Sequence, residues 1–182
     1  ISPTAGCVSC HPAVRSPPRF DAVHSTIGQQ PEVALVADGP VLAAFEIRYR
    51  WPLPTGLDAT RQRRAGRTAP LEIVSRVELG AADRLVRVTT RLRNTHENHR
   101  LRVLFPTWLA AESCVADSQF DVVERPVRVP QPPRDVWIED QPRQYPLQSF
   151  CAIGDGVAGL AVFARGLHEF EVADRPDRSL EL

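Results

Sequence analysis

The chain is 182 residues long, enough for one domain, or one large β domain with a tail, to bury a proper hydrophobic core. Its 22 basic and 22 acidic residues cancel to a formal net charge of zero, which excludes the electrostatic footprint of a nucleic-acid binder. No stretch approaches the ~20 apolar residues of a membrane-spanning helix and no secretory signal is visible, so neither nucleic acid nor membrane is expected as a partner.

All of the basic residues are arginine, a bias that fits genomic base composition, although the planar guanidinium also favours paired bonds to carboxylates. Methionine is absent, and the alternating "RSLEL" at residues 178–182 stops before any turn signal. The sequence is therefore expected to be a piece of a longer protein. Its expected organisation is an irregular lead-in over residues 1–31, followed by a β-sandwich domain over 32–182 that is cut at its C-terminal end.

The lead-in carries Pro3, Pro12, Pro17, Pro18 and Pro31 and, at its start, "CVSCHPAV". Cys7, Cys10 and His11 have the spacing of covalent c-type haem attachment. Haem is rejected here: the pattern is short, no methionine exists to serve as the usual second axial ligand, and no helical pocket is visible. Four cysteines (Cys7, Cys10, Cys114, Cys151) supply only one of the two Cys-x-x-Cys knuckles that a four-thiolate zinc site usually needs. Cys114 and Cys151, among apolar neighbours, read as buried thiols.

From Val41 the pattern changes. In "VLAAFEIRYRW", Val41, Ala43, Phe45, Ile47, Tyr49 and Trp51 alternate with Leu42, Ala44, Glu46, Arg48 and Arg50, a period-two strand that Pro52 and Pro54 are expected to end. The polar connection that follows carries Arg61, Arg63, Arg64 and Arg67 and reads as a solvated loop. "LEIVSRVEL" and "RLVRVTTRLRN" alternate again, the latter with Val86, Val88, Thr90 and Leu92 opposite Arg87, Thr89, Arg91 and Arg93. After the turn "NTHENH" comes "RLRVLF", and further strands are predicted at "FDVVERPVRV", "DVWIE", "LQSFCAI", "GLAVFA" and "HEFEV". No helix of ten or more residues is predicted. The fold class is all-β, an antiparallel sandwich with an arginine-rich wet face on at least two strands.

Catalytic groups do not assemble in this pattern. If "ADSQFDVVERP" were one strand, Asp117 and Asp121 would share a face but lie ~13 Å apart, with Glu124 on the opposite face, unlike the carboxylate pair of a glycosidase. Salt bridges to arginine are the expected role of the acids. His96 and His99 in the hairpin turn lack a third ligand and are expected to organise the turn by hydrogen bonding. The three tryptophans, Trp51, Trp108 and Trp137, are expected to pack in core or loops.

Several stretches in order, "GPVLAAFEIRYRWPLP", "RLRNTHENHRLRVLFPT", "ADSQFDVVERPVRVP" and "QYPLQSFCAIGDGVAGLAVFARGLHEFEV", resemble the C-terminal β region of glycoside hydrolase family 38, the α-mannosidase family. "RSPPRFD" matches the segment just ahead of it, so the resemblance spans residues 15–182. Asn98 stands where the family commonly has Asp, and His168 where it tends to have Pro. The resemblance implies a galactose-mutarotase-like β supersandwich that packs against an upstream catalytic domain and helps close its pocket. It implies that the nucleophile and the zinc ligands reside upstream, so no catalytic residue, metal site or cofactor is expected in this chain and zinc is expected in the missing domain. The intact protein is expected to be a bacterial, cytoplasmic enzyme that hydrolyses α-mannosides with retention and has room to form a homo-oligomer, while the 182-residue piece alone is expected to be inactive. Candidate substrate-side or interdomain residues are His99, Arg100, Arg102, Asp121 and Arg125, with Arg87, Arg91 and Arg93 on the wet face. The alternative is a free-standing carbohydrate-binding β module using a tryptophan as its platform.

Overall fold

A computed structural model describes residues 2–4, 19–20, 22–130 and 143–182. Cys7, Cys10, His11, Trp137 and the strand predicted at "DVWIE" lie outside the described residues. Among those described there is no helix: strands β1 (Ser2–Thr4) to β14 (Leu180–Glu181) carry the fold, which is an all-β sandwich fold. The chain divides into two compact units, Ile1–Leu101 and Arg102–Leu182.

The first unit is built on an antiparallel meander of β2 (Glu32–Asp38), β3 (Leu42–Pro54), β4 (Thr68–Gly80) and β5 (Arg87–Leu92), hydrogen-bonded in that order. β3 and β4 pair without a break from Leu42 opposite Gly80 to Pro54 opposite Thr68. The expectation that Pro52 ends its strand is corrected, because β3 runs through it. Pro52 lies opposite Pro70, past the last β2 partner at Arg48 and the last β5 partner at Ile73. Among the described residues neither strand has an outer strand partner there, so an N–H missing on that side leaves no ladder bond unmade. β2 escaped the sequence reading; it pairs with β3 through a register shift between Leu35 and Ala37.

Period-two geometry gives this sheet one apolar face, along Phe45, Ile47, Tyr49, Trp51 and Leu53 of β3 and Leu71, Ile73, Val77 and Leu79 of β4. Its two ends differ. Trp51, Leu53, Leu71 and Ile73 are buried in a cluster joined by Tyr49 and Leu101. At the other end Val33, Leu35, Phe45, Leu79 and Val88 are exposed, Phe45 to 46%. The register sets Leu35, Phe45, Val77 and Val88 side by side across all four strands, so these form one contiguous wet apolar patch.

The second unit holds two four-stranded antiparallel sheets. One has the order β12 (Gly159–Phe163), β11 (Phe150–Gly154), β8 (Ser113–Asp117), β9 (Val122–Pro126). The other runs β10 (Tyr145–Pro146), β13 (Glu169–Val172), β14 (Leu180–Glu181), β7 (Leu104–Phe105). Cys114, Ala116, Cys151 and Ile153 of the first sheet and Phe170, Val172 and Leu180 of the second share one buried core. In the ladder Cys151 faces Ala116 and Ile153 faces Cys114, so small and large inward side chains alternate in one layer. The β11–β12 hairpin closes on Asp155, whose carboxylate accepts the N–H groups of Val157 and Ala158, with Gly156 at φ +87° between them. The predicted strand "RLRVLF" is split: β6 (Arg100–Arg102) and β7 are separated by Val103, whose N–H and carbonyl bond Leu182 instead. "ADSQFDVVERP" is no single strand either. β8 ends at Asp117, residues 118–121 turn, and β9 begins at Val122.

Candidate functional site

The histidines of the "NTHENH" segment organise the loop end of the first unit. His96 is buried, and its Nε2–H donates to the carbonyl of Ala69 at 3.1 Å, which fixes the tautomer. His99 donates from Nδ1 to the carbonyl of Glu97 at 3.4 Å and meets the His96 ring edge-on at 5.9 Å. Burial pushes the His99 imidazole below its ordinary value, against the pull of the Glu97 carbonyl, which favours the neutral ring. Asn98 between them is at φ +55°, a conformation Asn tolerates, and its carbonyl accepts Arg64 Nη1 at 2.6 Å. Ala22, His24, Leu53, Pro54, Arg64 and His99 line a small slot here. The β3–β4 loop is thus tied down by its arginines: Arg63 stacks over the Phe20 ring at 5.2 Å while Arg64 holds Asn98.

The arginine-rich face of the first-unit sheet neutralises itself in part. Arg48 pairs with Glu46 and Arg76 with Glu78, each at 2.8 Å, and Arg91 lines the same shallow depression as Glu46, Arg76 and Glu78. Arg100 is half-buried in β6.

Arg102 does not lie on a wet face. Its side chain is 10% exposed, and one nitrogen, Nη1, donates to Glu171 at 2.7 Å and to Glu181 at 2.6 Å. Gln144 donates to the same Glu171 oxygen at 3.0 Å, and Arg175 donates to the second Glu181 oxygen at 2.8 Å. Two acids, two arginines and an amide close a neutral cluster. Burial alone would draw the Arg102 guanidinium down, but its bonds to Glu181 and Glu171 outweigh that and raise it. Arg125 lies over the Tyr145 ring at 4.6 Å, a cation–π contact inside the same unit.

The carboxylates suggested as a pair are each occupied separately. Asp117 accepts the backbone N–H groups of Gln148, Ser149 and Phe150 at 2.9–3.0 Å and the Ser149 hydroxyl, which anchors the start of β11. Burial pushes this carboxyl up, yet the bonds from Ser149, Phe150 and Gln148 more than offset it and hold it well below the usual carboxylate range. Asp121 caps its own turn by accepting Val122 N–H at 2.7 Å, and Glu124 accepts the Ser113 hydroxyl. Within the second unit Arg102, Asp121 and Arg125 thus each have separate partners, and in the first unit His99 braces its own loop. Among the described residues no three His, Cys, Asp or Glu side chains converge as a metal ion requires.

Two features were not legible in the sequence. One is the wet apolar patch of the first unit. The other is Trp108: packing in core or loop was expected and is realised by buried Trp51, whereas Trp108 is 72% exposed. Only the Pro-flanked loop composition of "FPTW" hinted at a surface position.

Among the described residues the fold is an antiparallel β sandwich without helix. Residues 19–182 match the family described as the glycosyl hydrolases family 38 C-terminal domain, and the chain belongs to that family. It is 27% identical over 165 residues to a putative mannosylglycerate hydrolase of Halalkalibacterium halodurans, an alignment covering 82% of this chain and 18% of that protein. An α-mannosidase from Enterococcus faecalis V583 superposes with a TM-score of 0.84 at 26% identity, over 99% of this chain and 21% of the other. A glycosyl hydrolase family 38 protein from Enterococcus faecalis does so at 0.80 and 25% identity, over 99% and 22%. The chain thus spans about a fifth of the length of the relatives it matches.

Proposed function

We propose that this chain is the β domain that buttresses, and partly closes, the active site of an α-mannosidase whose catalytic machinery lies in other parts of the polypeptide. The observation that carries the reading is the wet apolar patch on the first unit. Val33, Leu35, Phe45, Leu79 and Val88 line one sheet face that water would otherwise cover, and contiguous patches of this kind mark interaction surfaces. The occupant we assign is the remainder of the same polypeptide, since roughly four-fifths of each relative's length lies outside the part it shares with this chain.

The reaction we assign to the intact polypeptide is retaining hydrolysis of an α-mannoside. One carboxylate attacks the anomeric carbon while a second carboxyl protonates the departing oxygen, and water then releases the sugar as the second group takes the proton back. The described residues of this chain do not fit a zinc site, so the reading puts the zinc ion of the family resemblance outside them. This chain's part is to hold a surface in place. The putative mannosylglycerate hydrolase and the α-mannosidase among its relatives support a mannoside as substrate.

The test is Phe45→Asp combined with Leu35→Asp in the intact polypeptide. Both side chains are already wet in the chain itself, so its own sheet should survive. Activity on an aryl α-mannoside and resistance to limited proteolysis at the domain junction should both fall. Unchanged activity and unchanged proteolysis would count against the docking role.

A further inference from the structure

We infer that the open edge of β5 receives a further strand from the remainder of the same polypeptide, one that carries acids towards Arg87 and Arg91 and apolar side chains on its other face. The inference rests on the docking reading above and gives that docking a mode, strand addition. The first-unit sheet ends at β2 and at β5, and among the described residues neither has a strand beyond it. A bare edge is a row of N–H and C=O groups ready to pair, which natural sheets blunt with bulges, prolines or charges.

The two edges differ in this respect. β2 is blunted: its register shifts between Leu35 and Ala37, and an acid stands at each end, Glu32 and Asp38. β5 reads RVTTRL, with neither proline nor glycine. It pairs with β4 over its whole length without a shift, and every residue in it is exposed. Val88, Thr89 and Thr90 are β-branched and suit a laddered, pleated surface. Its charges, Arg87 and Arg91, stand on one face alone, which selects a partner by sign rather than barring every partner.

The side chains define the occupant. On one face Val88 and Leu92 are exposed, and Val88 ends the row Leu35, Phe45, Val77, Val88, so an apolar residue added beyond it would extend the patch assigned to docking. On the other face, among the described residues, no acid pairs with Arg87 or Arg91. Arg91 lies opposite Val74, and Glu78, opposite Arg87, is taken by Arg76 at 2.8 Å. Opposite charges directly across a ladder attract and like charges repel, so the open side of these arginines favours carboxylates. A second copy of β5 does not supply them. Two-fold pairing about Thr89 sets Arg87 against Arg91 twice, and pairing about Thr90 sets Arg87 against Arg93. Pairing midway between Thr89 and Thr90 mates the charged face with the apolar one.

Residue-resolved hydrogen exchange on the intact polypeptide reads the edge directly. An open edge strand leaves alternate amides without a ladder bond, and those exchange close to the unstructured rate. With a strand added, every amide from Arg87 to Leu92 should be slowed about 100-fold or more. Arg87→Glu combined with Arg91→Glu should speed alternate β5 amides about tenfold or more, while β3 amides stay slow and report an intact sheet. Alternate fast amides in the wild type would overturn the inference, and that measurement needs no variant to fold. Charge-reversed β5 amides as slow as those of the wild type would overturn it too. So would protection that disappears on dilution, since the occupant would then be a second copy. Fast alternate amides in a polypeptide whose activity still falls with Phe45→Asp and Leu35→Asp would remove the added strand and leave the docking reading standing.

Discussion

Replacing Arg102 by Met removes the one group that holds two buried acids together. Glu171 and Glu181, with side chains 14% and 7% exposed, both bond the same Arg102 nitrogen and so stand close to each other. Without it Glu171 keeps the Gln144 amide and Glu181 keeps Arg175, but the carboxylates face one another across the vacated space. At ~5 Å and an effective dielectric of ~20 that repulsion is about 3 kcal/mol. Breaking a buried ion pair by removing one partner costs about 3–5 kcal/mol, so the two routes agree. In a chain of this length each kcal/mol lowers Tm by about 2–4 °C, which gives a drop of roughly 6–20 °C by calorimetry at pH 7. Arg102→Met combined with Glu171→Gln should recover part of the loss, since Glu181, still paired with Arg175, is then the one charged acid at the site and the repulsion is gone. A single Arg102→Met variant that melts within 1–2 °C of the wild type would refute the reasoning, for it would mean the cluster is wet and screened.

Other outcomes follow from the same structure. The Asp117 carboxyl is depressed in the folded state, so the stability it contributes is present above the unfolded pKa of ~4 and is lost as pH falls below it. Acid titration of Tm should therefore be flatter below pH ~4 in Asp117→Asn than in the wild type, and parallel profiles would contradict the assignment. Burial pushes the Cys114 and Cys151 thiols up to about 11 and about 12, so peptide mapping after iodoacetamide at pH 8 should find both unmodified until denaturant is added. Rapid native labelling of either would contradict their burial.

What the sequence carried was the alternation. β3, β4 and β5 were legible because strong apolar residues recur at every second position, and β11, β12 and β13 for the same reason. β8 was not, because its inward residues are Cys114 and Ala116, which bury well but give little hydrophobic contrast. The prolines misled at Pro52, since their effect depends on whether a neighbouring strand needs the missing N–H, and only the sheet order tells that.

The site was less legible still. Arg102 alternates with apolar neighbours and so looked wet, yet its acids come from 69 and 79 residues further along the chain. The left-handed turn at Trp108 is likewise imposed from a distance, through bonds such as that from Thr107 to Arg178, 71 residues away. Local pattern predicts which face a side chain takes. It does not say what waits on that face.

The proposed function is a division of labour in which this chain would hold a surface while other parts of the polypeptide carry out the reaction. The most direct test compares the purified 182-residue chain with the intact polypeptide on an aryl α-mannoside, with and without added zinc. The account predicts turnover by the intact polypeptide alone. Turnover by the 182-residue chain itself would contradict it.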